Sequence, residues 1–95
     1  MKVNYTSSVT GKRATVHVDQ STWSIFKKTL EITCGARAST DQRLSVYYWV
    51  TALDTEYRTW AKDETLTFDA YVSKRLAEEI LMDLDAIGRH HRKVV

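Results

Sequence analysis

Arg13, Thr15 and His17 stand at every second position of a stretch whose alternate places are filled by Ala14, Val16 and Val18. In an extended strand, that period of two sends the polar side chains to one face and the apolar ones to the other. That face is polar and basic. Its side chains are hydrogen-bonding groups: arginine offers a planar fork of donors, threonine a hydroxyl, and a neutral imidazole donates or accepts according to its tautomer. Lys12 precedes the stretch and adds to its positive charge. Arg37, Ser39, Thr40 and Arg43 gather where a helix is expected to begin. The same Arg-x-Thr-x-His pattern is also what an ordinary solvated strand carries, and charge on an edge discourages unwanted pairing.

Other chemistries find less to work with. His90 and His91 are adjacent, so on a helix their side chains diverge instead of converging on a metal. Cys34 falls at an expected helix C-terminus, where the dipole disfavours a thiolate, and it reads as a small buried hydrophobe. Asp63-Glu64 and Glu78-Glu79 read as solvated surface. The expectation is therefore a protein that is not an enzyme and uses no cofactor and no metal. A single cysteine permits no intramolecular disulfide, which fits a reducing cytoplasm, and no run approaches the roughly 20 apolar residues of a membrane span.

Charge is unevenly divided. Residues 1–62 hold nine Lys/Arg against five Asp/Glu, whereas residues 63–95 hold five against seven. The local excess, more than the formal total of +2, points to an anionic partner for the first two thirds.

The elements that must position these residues are legible as patterns. Residues 1–19 are rich in Val, Thr and Tyr, as strands are, and the Thr10-Gly11 turn leaves open whether residues 3–9 form a second strand. Helical spacing follows Asp19, with Asp19 or Ser21 as the expected N-cap: Trp23, Phe26 and Leu30 share a face, and Gly35 ends the helix. Ser39 and Gln42 fit a capping box. Val46, Val50, Leu53, Tyr57 and Trp60 follow at spacings of 4, 3, 4 and 3, a seam apolar enough to predict cover on more than one side. Trp23 and Trp60 fall on the seams as core or dimer contacts, and Tyr48 and Trp49 are left as an exposed partner surface. Thr67 looks like the N-cap of a third helix whose Val72, Leu76, Ile80, Leu84 and Ile87 line one face up to Gly88. RHHRKVV reads as a frayed tail.

A basic strand, a helix ending at glycine and a Ser-capped helix resemble the ribbon-helix-helix DNA-binding family over residues 12–55. The resemblance implies an intertwined dimer whose two strands form an antiparallel ribbon in the major groove. It assigns Arg13, Thr15 and His17 to bases, and Lys12, Arg37, Ser39, Thr40 and Arg43 to phosphates. Val16, Val18, Trp23, Phe26, Leu30, Val46, Val50, Leu53, Tyr57 and Trp60 become core or dimer contacts. Asp41 at the helix start, a longer loop after Gly35 and a longer second helix depart from the family pattern.

The expected fold is thus mostly α with a short N-terminal strand or hairpin. An arm and ribbon-helix-helix-like module occupies residues 1–62, a C-terminal helical extension 63–90 and a flexible basic tail 91–95. The expected function is sequence-specific binding of double-stranded DNA by a cytoplasmic homodimeric or tetrameric regulator or repressor. A protein partner is expected at the C-terminal helix, and none at a membrane. The competing reading is a protein-binding adaptor or inhibitor of bacterial or phage origin with no DNA role. It predicts that the 12–18 strand pairs within its own chain with its polar side covered.

Overall fold

A computed structural model describes residues 1–35, 45–60 and 65–94, with side chains up to Arg89. Lys2–Thr6 forms β1 and Arg13–His17 forms β2. They pair antiparallel, with Lys2 opposite His17, Asn4 opposite Thr15 and Thr6 opposite Arg13. The question of a second strand is thereby answered: β2 finds its partner within the same chain. Alternation explains the pairing, because Val3, Tyr5, Val16 and the neighbouring Val18 are all buried, with Ala14 packed against them. At the open end the Met1 ammonium donates to the Val18 carbonyl (2.7 Å) and the Val18 amide to the Met1 carbonyl (2.8 Å). At the turn, the Ser7 amide donates to Lys12 and the Gly11 amide to Ser7, both at 2.9 Å. Gly11 sits at φ 71°, a conformation a side chain would strain.

Three helices back the hairpin: α1 (Gln20–Cys34), α2 (Val46–Trp60) and α3 (Phe68–Val94). The Asp19 carboxylate accepts from the Thr22 amide at 2.8 Å, so Asp19 and not Ser21 is the N-cap, and the Gly35 amide donates to the Glu31 carbonyl with Gly35 at φ 58°, where the helix was expected to stop. Thr67 caps α3 by accepting from the Ala70 amide at 3.2 Å, with Asp69 in the first turn. The expected Ser39–Gln42 capping box lies outside the described residues; α2 is described from Val46, where the Ser45 hydroxyl accepts from the Tyr48 amide. The third helix does not end at Gly88 but continues to Val94, through much of the stretch expected to fray. Gly88 adopts ordinary helical φ, and nothing in its environment requires a stop there.

One core unites hairpin and helices: Val3, Tyr5, Val16 and Val18 meet Trp23, Phe26 and Leu30 of α1, Trp49, Val50 and Leu53 of α2, and Tyr71, Val72 and Leu76 of α3. Val46 and Tyr57 pack against it partly buried. The Thr29 hydroxyl lies 3.1 Å from the Asp83 carboxylate, and Ile32 and Thr33 line one groove with Ala86 and Ile87, so α1 and α3 run in the same direction. Among the described residues no helix is long and apolar enough to cross a membrane.

Trp49 does not hold the exposed place expected of it, and Trp60 is not part of the chain's own core. Trp49 is buried (8% exposed) and sets its ring edge-on to Phe26, with centroids 4.9 Å apart and planes at 89°. Trp60 is 82% exposed. Trp49 shares a helix face with Val46, Val50 and Leu53, whereas Trp60 is the last residue of α2, where the packed length of the helix has run out. Tyr48 is exposed, as expected of a partner surface, and so is Tyr47.

Candidate nucleic-acid interface

Residues opposite one another in an antiparallel pair project to the same side. The register therefore gathers Lys2, Asn4 and Thr6 of β1 with Arg13, Thr15 and His17 of β2 on the outer face of the hairpin, and all six are exposed. None is acidic. Lys12, also exposed, adds a cation where the turn enters β2. The Thr15 hydroxyl donates to the Asn4 side-chain oxygen at 2.8 Å, which steadies the centre of this exposed face. Arg13, Thr15 and His17 are thus brought together on one open surface. Lys2, Asn4 and Thr6 join them, and these the sequence could reveal only once β1 was known to be the partner of β2.

At one edge His17 Nδ1 lies 3.5 Å from Asp69 at the start of α3, with side chains 71% and 51% exposed. Solvent screens such a pair strongly, so it contributes little to stability. Its consequence is local: an acid stands beside the His17 end of the face, and the Arg13 end carries Lys12 instead. Arg37, Ser39, Thr40 and Arg43, expected to touch phosphates, lie outside the described residues.

Behind the hairpin is a polar cluster that the sequence reading did not find. Asp54, in the middle of α2, is 1% exposed. Its carboxylate accepts from the Tyr5 hydroxyl (2.8 Å), the Ser7 hydroxyl (2.6 Å) and Arg58 Nε (3.0 Å). Burial alone would raise the Asp54 pKa, but the bonds from Ser7, Tyr5 and Arg58 outweigh it and hold the carboxyl below its ordinary value. The Tyr5 phenol is pushed up to about 12, by burial first and then by the carboxylate it faces. The Ser7 oxygen also accepts from the amides of Val9 and Thr10 at 3.2 Å each, so one hydroxyl organises the turn and joins it to α2. The one local clue was Asp54 four residues before Arg58, a helical pairing distance. Tyr5 and Ser7 are 49 and 47 residues away from Asp54 in the chain, and no spacing rule reaches that far.

Elsewhere, Arg75 is held by Glu56 (3.0 Å), Glu78 (3.1 Å) and Glu79 (3.4 Å), a network tying α3 to α2. Among the described residues no three His, Cys, Asp or Glu side chains are placed to hold a metal ion.

No family model, curated protein or solved structure matches the chain. The likeness to ribbon-helix-helix proteins accordingly rests on element order, and on one point the order differs. The strand that this family pairs with a second copy here pairs with β1 of its own chain.

Proposed function

We propose that this protein binds double-stranded DNA, presenting the outer face of the β1–β2 hairpin to the major groove, and acts as a small dimeric regulator of transcription. The observation that carries the reading is the outer face itself, six exposed polar residues, none of them acidic, on a two-stranded ribbon with Lys12 at its turn and Asp69 only at its His17 edge. The major groove is about 12 Å wide and admits a two-stranded ribbon. Five-residue strands span roughly 17 Å, enough to lie along several base pairs. Arg13 is the guanine reader, Thr15 and Asn4 supply a neutral hydrogen-bonding centre, and Lys2 and Lys12 neutralise phosphates at either end.

Internal pairing of β2 was the feature expected of an adaptor, but that reading also required the polar side to be covered, and it is open. The observation that favours a protein partner is a different one: Ile25 and Ile32 on α1, and Leu81, Met82 and Leu84 on α3, are exposed. The two readings part in a fluorescence anisotropy titration against mixed-sequence duplex at several salt concentrations. Duplex affinity that falls steeply with salt supports the ribbon. A folded protein with no duplex affinity at low salt removes it, and leaves the apolar faces of α1 and α3 as the working surface.

A further inference from the structure

A two-stranded hairpin is marginal in water, so something must hold this one. Its open end is secured by the reciprocal Met1–Val18 bonds and by Val3, Val16 and Val18 in the core. Its turn end, which carries Lys12 and Arg13, is polar and largely exposed: Ser8, Val9, Thr10, Gly11 and Lys12 all face solvent. Among the described residues, the Ser7–Asp54 bond, 2.6 Å long and buried at both ends, ties the turn to α2. Ser7 passes that restraint on in two directions. Its hydroxyl oxygen accepts the Val9 and Thr10 amides, and its own amide donates to the Lys12 carbonyl. Asp54 is fixed in turn by Tyr5 from within the hairpin and by Arg58 from the next turn of α2.

We infer that Ser7 and Asp54 are positioning residues for the ribbon, a latch from α2 that fixes the turn so that Lys12 and Arg13 meet DNA already oriented. The functional half of this inference rests on the DNA reading above; the latch itself does not. A ribbon ordered before binding avoids the entropy that a loose one would lose on docking. Neither latch residue is accessible to a ligand, so their effect on binding must pass through the turn.

The test compares wild type, Ser7→Ala and Ser7→Thr by amide hydrogen exchange and by duplex titration. The informative amides are those of Ser7 and Gly11, whose acceptors are backbone carbonyls kept in every variant. Ser7→Ala should speed their exchange about tenfold with α1 and α3 amides unchanged. It should also weaken duplex binding about tenfold at an unchanged salt slope, since no cation is lost. Ser7→Thr, which keeps the hydroxyl, should restore both. Tyr5→Phe removes a different bond to Asp54 and should give a smaller loosening, which keeps the test alive if Ser7→Ala does not fold. Unchanged turn exchange in Ser7→Ala, or in Tyr5→Phe where Ser7→Ala does not fold, overturns the latch. Faster exchange with unchanged affinity overturns the positioning role. A wild type without duplex affinity refutes the DNA reading instead, and the exchange contrast still decides whether the latch exists.

Discussion

Asp54 and Tyr5 respond to pH in opposite directions, and both effects act on folding. Because the folded Asp54 pKa is depressed, its contribution is present above the unfolded value of about 3.9 and is lost as pH falls through the lower folded one. Tyr5 is raised to about 12, so its contribution is complete below about pH 10 and is lost as pH rises from there through 12. Chemical denaturation at a series of pH values should show both flanks, and Tyr5→Phe should flatten the alkaline one. Ser7→Ala, which removes one donor from the buried Asp54 carboxylate, should cost about 1–3 kcal/mol at neutral pH. Arg13 belongs to the surface, and its removal should leave the denaturation midpoint nearly unmoved. On a selected cognate duplex Arg13→Ala should cost about 1–3 kcal/mol if it reads guanine. An equal loss on random duplex would make it a phosphate contact, and no loss on either would remove it from the interface.

At the scale of elements, periodicity located β2 and the three helices, left β1 open, and did not say what covers any of them. The alternation of Ala14, Val16 and Val18 gave the buried face of β2 directly, and Asp19, Gly35 and Thr67 marked helix ends because caps are local chemistry. Trp49 and Trp60 could not be sorted that way, since a position near the apolar stripe says nothing about whether a neighbouring element reaches that level of the helix. The structure predicts a large contrast. Trp49→Ala should cost about 3–5 kcal/mol through the cavity beside Phe26, while Trp60→Ala should stay within about 0.5 kcal/mol. Thermal melts of the two variants check it. Gly88 misled for a related reason: glycine often follows a helix, but here it lies inside one. A Cβ at that position would meet nothing within 4 Å. Gly88→Ala should therefore stabilise the protein by about 0.5–1 kcal/mol, seen as a raised denaturation midpoint with unchanged slope. The Asp54 cluster was invisible for the opposite reason, being made by contacts across almost half the chain instead of by any local pattern.

For the whole molecule, the pairing of β2 with β1 changes what a dimer is needed for. A ribbon made from two chains exists only in the dimer, so its DNA affinity would vanish with dissociation. A ribbon made within one chain is complete in the monomer, and a second copy adds a second ribbon without creating the first. The difference can be read from salt dependence. Lys2, Lys12 and Arg13 are the permanent cations on and beside the outer face. If each neutralises one phosphate, one ribbon contributes about −3 to the slope of log K against log salt, and a dimer engaging both ribbons about −5. Replacing all three by alanine should remove that share whatever the remaining basic residues do. Titrations run above and below the dissociation point found by light scattering would then show one of two patterns. Persisting affinity with roughly half the ribbon-dependent slope is the result expected of a self-sufficient ribbon. Affinity lost together with the dimer would mean that both chains must dock at once, and the hairpin alone would no longer suffice as the binding element.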